Sequence, residues 1–109
     1  SGLRSLSPDH RDYRPIYIGS PYQRDSSYHQ GTVWAWLMGA FIESLRKVYP
    51  RGRKSKKYIE AILDGYQTHL LEEGIGQISE IFDGDSPHEP RGCFAQAWSV
   101  AEILRVLKK

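Results

Sequence analysis

The chain has 109 residues, 39% of them hydrophobic and 26% charged, with a formal net charge of +2 at pH 7. That length carries one domain, or part of one, with a modest core, and the balance argues against a disordered tail. No apolar run approaches the roughly 20 residues a membrane-spanning helix needs, and so small a charge does not select a nucleic-acid or membrane partner.

Residues 1–31 show no sustained helical or strand period. Pro8, Pro15 and Pro21 punctuate the run, and Tyr13, Tyr17, Tyr22 and Tyr28 recur through it. Irregular segments longer than about 12 to 15 residues are uncommon in compact domains unless functional or disordered, and the tyrosines argue against disorder. Aromatic rings spaced along a polar loop either pin it to a body or line a groove for a ring-shaped ligand, and both readings stand at this point.

The polar lead-in Arg24-Asp25-Ser26-Ser27-Tyr28-His29-Gln30-Gly31-Thr32 opens into apolar residues Trp34, Leu37, Met38, Phe41, Leu45 and Val48 at helical spacing. This predicts a helix from about Val33 to Tyr49, capped by Thr32, with Arg46 and Lys47 at its negative end and Pro50 with Gly52 stopping it. Arg24, Asp25, His29 and Gln30, delivered beside Trp34 and Trp36, offer a mixture of donors, acceptors and rings suited to a sugar. The run Arg51-Gly52-Arg53-Lys54-Ser55-Lys56-Lys57 is the one dense charge cluster. It lies between two helical patterns without interleaved aromatics, so a solvated turn is expected, with phosphate binding as a weak competitor.

Ile59, Ile62, Leu63, Tyr66, Leu70 and Leu71 predict a second helix, with Ser55 as cap and Gly74 as stop. Its Lys56 and Lys57 lie at the positive end of the dipole and its Glu72 and Glu73 at the negative end. Packing must therefore stabilise it. Residues 75–92 follow as a turn-rich loop in which Glu80 sits among Ile78, Ile81 and Phe82, with Asp83, Asp85, His88 and Glu89 close behind. An apolar wall and like charges raise a carboxyl pKa toward the range useful for acid/base chemistry; a solvated acidic loop is the plainer reading. Phe94 to Leu107 predicts a third helix, polar only at Gln96, Ser99, Glu102 and Arg105. A helix apolar over so much of its circumference calls for more cover than two other helices supply, as in a piece of a larger body.

The lone Cys93 permits no internal disulfide and fits a reducing compartment, so a cytoplasmic location is expected. His10, His29, His69 and His88 lack metal-ligand spacing, and neither a calcium loop nor a phosphate or dinucleotide loop is present, so no metal and no cofactor are expected. Nothing beyond proximity to a helix start activates Cys93 toward His88. Carboxylate chemistry on a neutral polyhydroxy substrate remains the sharpest chemical reading.

Four blocks carry a resemblance: G-L-R-S-L-S-P (Gly2 to Pro8), R-D-S-S-Y-H-Q-G-T-V-W (Arg24 to Trp34), S-E-I-F-D-G-D (Ser79 to Asp85) and P-R-G-C-F-A-Q-A-W-S-V-A-E (Pro90 to Glu102). In this order they resemble the C-terminal end of glycogen debranching enzymes, within the amylo-alpha-1,6-glucosidase domain. The resemblance implies an all-α fold, a fragment of an alpha/alpha toroid. Residues 1–31 would be a substrate-side loop and residues 32–109 three helices with the catalytic loop 75–92. It implies that Glu80 is the general base that activates water against the α-1,6-linked glucose of glycogen or a branched oligosaccharide, with inversion, and that the general acid comes from elsewhere in the domain. Tyr28, His29, Gln30, Gly31 and Trp34 match a Y-H-Q-G-x-x-W signature around the terminal glucose. Gln96 and Trp98 would support Glu80 or the pocket floor, and Arg24 and Asp25 would bond hydroxyls or brace the loop. The chain alone is expected to be inactive, to need the remainder of its toroid, and to self-associate through exposed apolar faces. The alternatives are a trehalase-like or invertase-like toroidal glycosidase, or a non-catalytic helical module that binds glycan or a partner.

Overall fold

The structure, a computed structural model, describes residues 2–108. In chain order it contains β1 (Leu3–Arg4), α1 (Pro21–Ser27), β2 (Val33–Trp34), α2 (Leu37–Val48), α3 (Arg53–Glu72), β3 (Ile81–Phe82), β4 (Pro90–Arg91) and α4 (Ala97–Leu107). The all-α expectation is corrected. Among the described residues, four helices accompany an antiparallel sheet ordered β1-β2-β3-β4. Each strand is two residues long, too short for alternation to be read, and its partners are distant in sequence, so the pairing is a tertiary event.

The three expected helices are present, α2 and α4 with later starts and α3 with an earlier one at Arg53, so most of the basic run expected to be a turn is helical. Val33 and Trp34, β-branched and aromatic, pair instead with both neighbours: Trp34 lies opposite Leu3 and Ile81, and Val33 opposite Arg4 and Phe82. The Thr32 hydroxyl, expected to cap α2, donates to the Tyr28 carbonyl at 2.7 Å. Ser55 lies inside the first turn of α3, where its hydroxyl donates back to the Gly52 carbonyl at 2.8 Å. Downstream, α3 ends at Glu72, and the Gly76 N–H returns to the Leu70 carbonyl at 2.8 Å. Helix α4 starts at Ala97 because Gln96, at its N-cap, is extended and donates its N–H to the Ile78 carbonyl at 3.0 Å.

Helix α1 breaks the supposed irregular run. Ser20 accepts from the Gln23 N–H while the Gln23 side chain accepts from the Ser20 N–H, a reciprocal capping box with Pro21 in the first turn.

The core joins sheet and helices through Val33, Ala35, Met38, Ile42, Ile59, Tyr66, Ile78, Phe82, Ile103 and Val106. Full burial of side chains such as Ile42 and Val106 is worth about 1.5–3 kcal/mol each. The buried Tyr66 hydroxyl donates to the Ala35 carbonyl at 3.3 Å, tying α3 to the residue that follows β2.

Helices α2 and α4 approach closely at Gly39, where a Cβ would collide with the Glu102 carboxylate. Arg105 bridges Glu43 and Glu102, each at 2.7 Å, and Arg46 donates to the Val106 carbonyl at 2.9 Å. The covered side of α4 includes Ser99, Ile103 and Val106; Ala97, Trp98, Ala101, Leu104 and Leu107 are exposed. No helix among the described residues is long and apolar enough to cross a membrane.

Candidate active site

Glu80 stands immediately before β3, where the ladder between β3 and β4 runs out. Its N–H donates to the Cys93 carbonyl at 2.8 Å, and the Cys93 N–H donates to Glu80 Oε2 at 3.1 Å. Gly92 permits this reciprocal contact. Its φ of 68° is in the left-handed region, and a Cβ there would sit 2.5 Å from Glu80 Oε2. The other carboxylate oxygen, Oε1, accepts a hydrogen bond from the Tyr28 hydroxyl. Ile78, Ile81 and Phe82 are buried on the core side, while Glu80 remains partly exposed.

An open cleft of about 440 Å³ lies over this carboxylate, lined by Ser5, Tyr28, His29, Trp34, Trp36, Leu37, Glu80, Gln96 and Trp98. Its volume is within the roughly 300–1,000 Å³ of small-ligand sites. Its wall is a chain of rings. His29 stacks on Trp34 at 5.1 Å with planes 7° apart, Tyr28 meets Trp34 edge-on at 4.8 Å, and Trp36 stacks on Trp98 at 5.6 Å. The Tyr28 carbonyl accepts from Trp34 Nε1 at 3.1 Å, so the lead-in loop is fastened to β2. Burial, and then the neighbouring Glu80 carboxylate, push the Tyr28 phenol well above its ordinary pKa, so it stays protonated and donates.

The structure thus brings Glu80, Tyr28, His29, Trp34, Gln96 and Trp98 to one cleft and sets the remaining named residues outside it. Gly31 is buried against the Tyr13 ring, and Gln30 is exposed, its backbone bonded to Ser27. Arg24 and Asp25 are exposed on α1; Arg24 borders a separate recess with Tyr17, Gly19, Arg91 and Gly92. Cys93 Sγ bonds the Ala95 carbonyl, and His88 Nδ1 bonds the Asp83 carbonyl, so each has its own local partner.

Sequence reasoning passed over Ser5 as a lining residue and missed the brace behind the site; Trp36, named beside Trp34 in the sugar-suited mixture, does line the cleft. Asp83 is buried at 3% exposure, and its Oδ1 accepts from the Tyr17 N–H at 2.9 Å. Its Oδ2 takes Arg91 Nε at 3.0 Å and Nη2 at 2.9 Å. One carboxylate therefore joins the N-terminal loop, β3 and β4. An Asp directly after the buried Ile81-Phe82 pair was the available signal, since a buried charge demands partners.

Behind the loop, His69 on α3 is buried and its Nε2 accepts from the Ser79 N–H at 3.2 Å. Burial lowers its pKa, which keeps the ring neutral and able to accept. No group of three or more His, Cys, Asp or Glu side chains placed to hold a metal occurs among the described residues.

A helical chain with a small sheet, carrying a carboxylate at the foot of an aromatic cleft, has the ingredients of a carbohydrate-active domain. Residues 1–105 match the family model described as amylo-alpha-1,6-glucosidase, and the chain belongs to that family. Among its relatives is a glycogen debranching enzyme of Saccharomyces cerevisiae. It is 27% identical over 122 aligned residues, covering 94% of this chain and 8% of that protein. The chain therefore spans a small part of the length of the curated relative it matches.

Proposed function

We propose that this chain supplies the general-base side of an amylo-alpha-1,6-glucosidase site within a debranching enzyme that acts on glycogen or limit dextrin in the cytoplasm. The observation that carries the reading is the Glu80 carboxylate, fixed by one donor on each oxygen and open to an aromatic cleft. Aromatic faces suit the apolar C–H faces of a glucose ring, while Ser5, His29 and Gln96 offer polar groups for its hydroxyls.

In this reading, Glu80 accepts a proton from a water molecule as the water oxygen attacks the anomeric carbon. The leaving oxygen is protonated by a carboxylic acid from another part of the enzyme. Two carboxyl groups about 6.5–9.5 Å apart leave room for that water, and configuration inverts.

The exposed apolar side of α4, with Leu104 and Leu107, supports placing this chain among the last helices of a larger alpha/alpha toroid. Alone it should lack hydrolytic activity and self-associate through that side.

The test is substrate profiling of the full-length protein, with proton NMR of the first glucose released. Turnover of an α-1,6-branched limit dextrin with β-glucose appearing first supports the proposal. Turnover of trehalose or sucrose instead would favour the other toroidal glycosidases. Retention on immobilised glycogen without turnover of any of these would favour a binding module.

A further inference from the structure

The hydrogen bond between Tyr28 and Glu80 joins residues 52 positions apart, and the cleft geometry gives it a specific task. A glutamate side chain turns about three torsions, and one donor on one oxygen would leave the carboxylate plane free to swing. Here the Cys93 N–H fixes Oε2 and the Tyr28 hydroxyl fixes Oε1.

Tyr28 is itself immobilised. Its ring packs against Tyr17 at 5.5 Å and against His29 and Trp34, both at 4.8 Å, and its carbonyl accepts from Trp34 Nε1 and the Thr32 hydroxyl. The hydroxyl is therefore the end of a rigid arm.

We infer that Tyr28 is a positioning residue whose hydroxyl holds the Glu80 carboxylate in the orientation from which it receives the water proton. The inference rests on the reading of Glu80 as general base. Tyr28 keeps its own proton throughout. The water proton passes to Glu80 as the new C–O bond forms, and the old C–O bond breaks toward a leaving oxygen that the general acid protonates. The elevated pKa of the phenol is consistent with a donor that does not exchange roles with the base. This differs from a sugar-wall role, in which Tyr28 would act through the substrate.

The discriminating experiment is a double-mutant cycle in the full-length protein with limit dextrin: Tyr28→Phe, Glu80→Gln and the pair, each with kcat and KM measured separately. Phenylalanine removes only the hydroxyl, leaving the ring contacts and both bonds to the carbonyl. Tyr28→Phe should lower kcat by about 10- to 100-fold, as misplacement of a reacting group does, with KM nearly unchanged. In the Glu80→Gln background the same change should alter kcat by less than about 3-fold, because both substitutions disable one unit.

A raised KM with kcat intact would overturn the inference in favour of a sugar contact. Losses that multiply in the double variant would also overturn it. Wild-type rates in Glu80→Gln would instead remove the base reading on which it stands, a separate outcome. If Tyr28→Phe does not fold, 4-aminophenylalanine at position 28, which keeps a donor, is compared with 4-fluorophenylalanine, which has none. Equal kcat for the two would overturn the inference.

Discussion

The Glu80 loop and the basic run Arg51–Lys57, which from Arg53 onward is the start of α3 and not the solvated turn expected, are two charge-rich stretches built in opposite ways. In the first, Glu80 and Asp83 are each held by two groups: Tyr28 and the Cys93 amide on one, the Tyr17 amide and Arg91 on the other. In the second, the lysine pair is Lys56 with Glu60 at 4.0 Å, both ends largely exposed, the kind of contact worth about 0–1 kcal/mol. Charge density alone does not mark a site. The distinguishing property is that both oxygens of Glu80 and both oxygens of Asp83 are fixed by donors, among them Tyr28 and the Tyr17 amide from the N-terminal segment.

Asp83→Ala breaks that constraint most severely. It strips the buried half of the Arg91 pair and the acceptor for the Tyr17 N–H, and should cost about 3 kcal/mol, visible as a lower denaturant midpoint. An unchanged midpoint would show that the two stretches differ less than their geometry states.

Gly92→Ala tests the approach to Glu80 itself. A left-handed φ costs a non-glycine residue about 1–2 kcal/mol, and the added methyl crowds Oε2, so glucose release by the full-length protein should fall more than stability does.

Acidification gives a graded test of the loop's rear support. His69 has a folded pKa below its ordinary 6.5, so the unfolded chain binds the extra proton first. Its contribution to stability is complete above about pH 6.5 and is lost as pH falls through the lower folded value. The urea midpoint should therefore drop between about pH 7.5 and about pH 5.5, and less so in His69→Gln, which keeps an acceptor without the titration. Equal slopes in both proteins would contradict the assignment.

The smallest effect belongs to the basic run at the start of α3. Replacing Lys54, Lys56 and Lys57 together by Gln should move stability by no more than about 0.5 kcal/mol and leave glucose release unchanged. Salt-sensitive nucleic-acid binding lost in that variant would revive the competing role of the basic run.

Much of this contrast was legible in the sequence because it depended on local pattern. The apolar spacing in α2, α3 and α4 located three helices, although the start of α2 moved because Val33 and Trp34 were claimed by strand partners. The motif residues Tyr28, His29, Trp34, Glu80, Gln96 and Trp98 were named together and lie around one cleft. Helix α1 was legible and missed: Ser20-Pro21 followed by Gln23 is a capping-box start.

The two-residue strands were not legible, since pairing partners such as Leu3 with Trp34 exist only after folding. Nor could the helical period of α4 say which arc would be covered. The close approach at Gly39 and the Glu43–Arg105 pair accompany burial of Ser99 while Trp98 and Leu104 remain exposed.

The most direct measurement is glucose release from a phosphorylase limit dextrin by the full-length protein and its Glu80→Gln variant, with circular dichroism confirming that both are folded. Loss of a general base lowers the rate by about 10²- to 10⁴-fold, and the account predicts a fall of that size with the fold intact. A folded variant that releases glucose at the wild-type rate would contradict it and leave Glu80 as a structural carboxylate beneath an aromatic cleft.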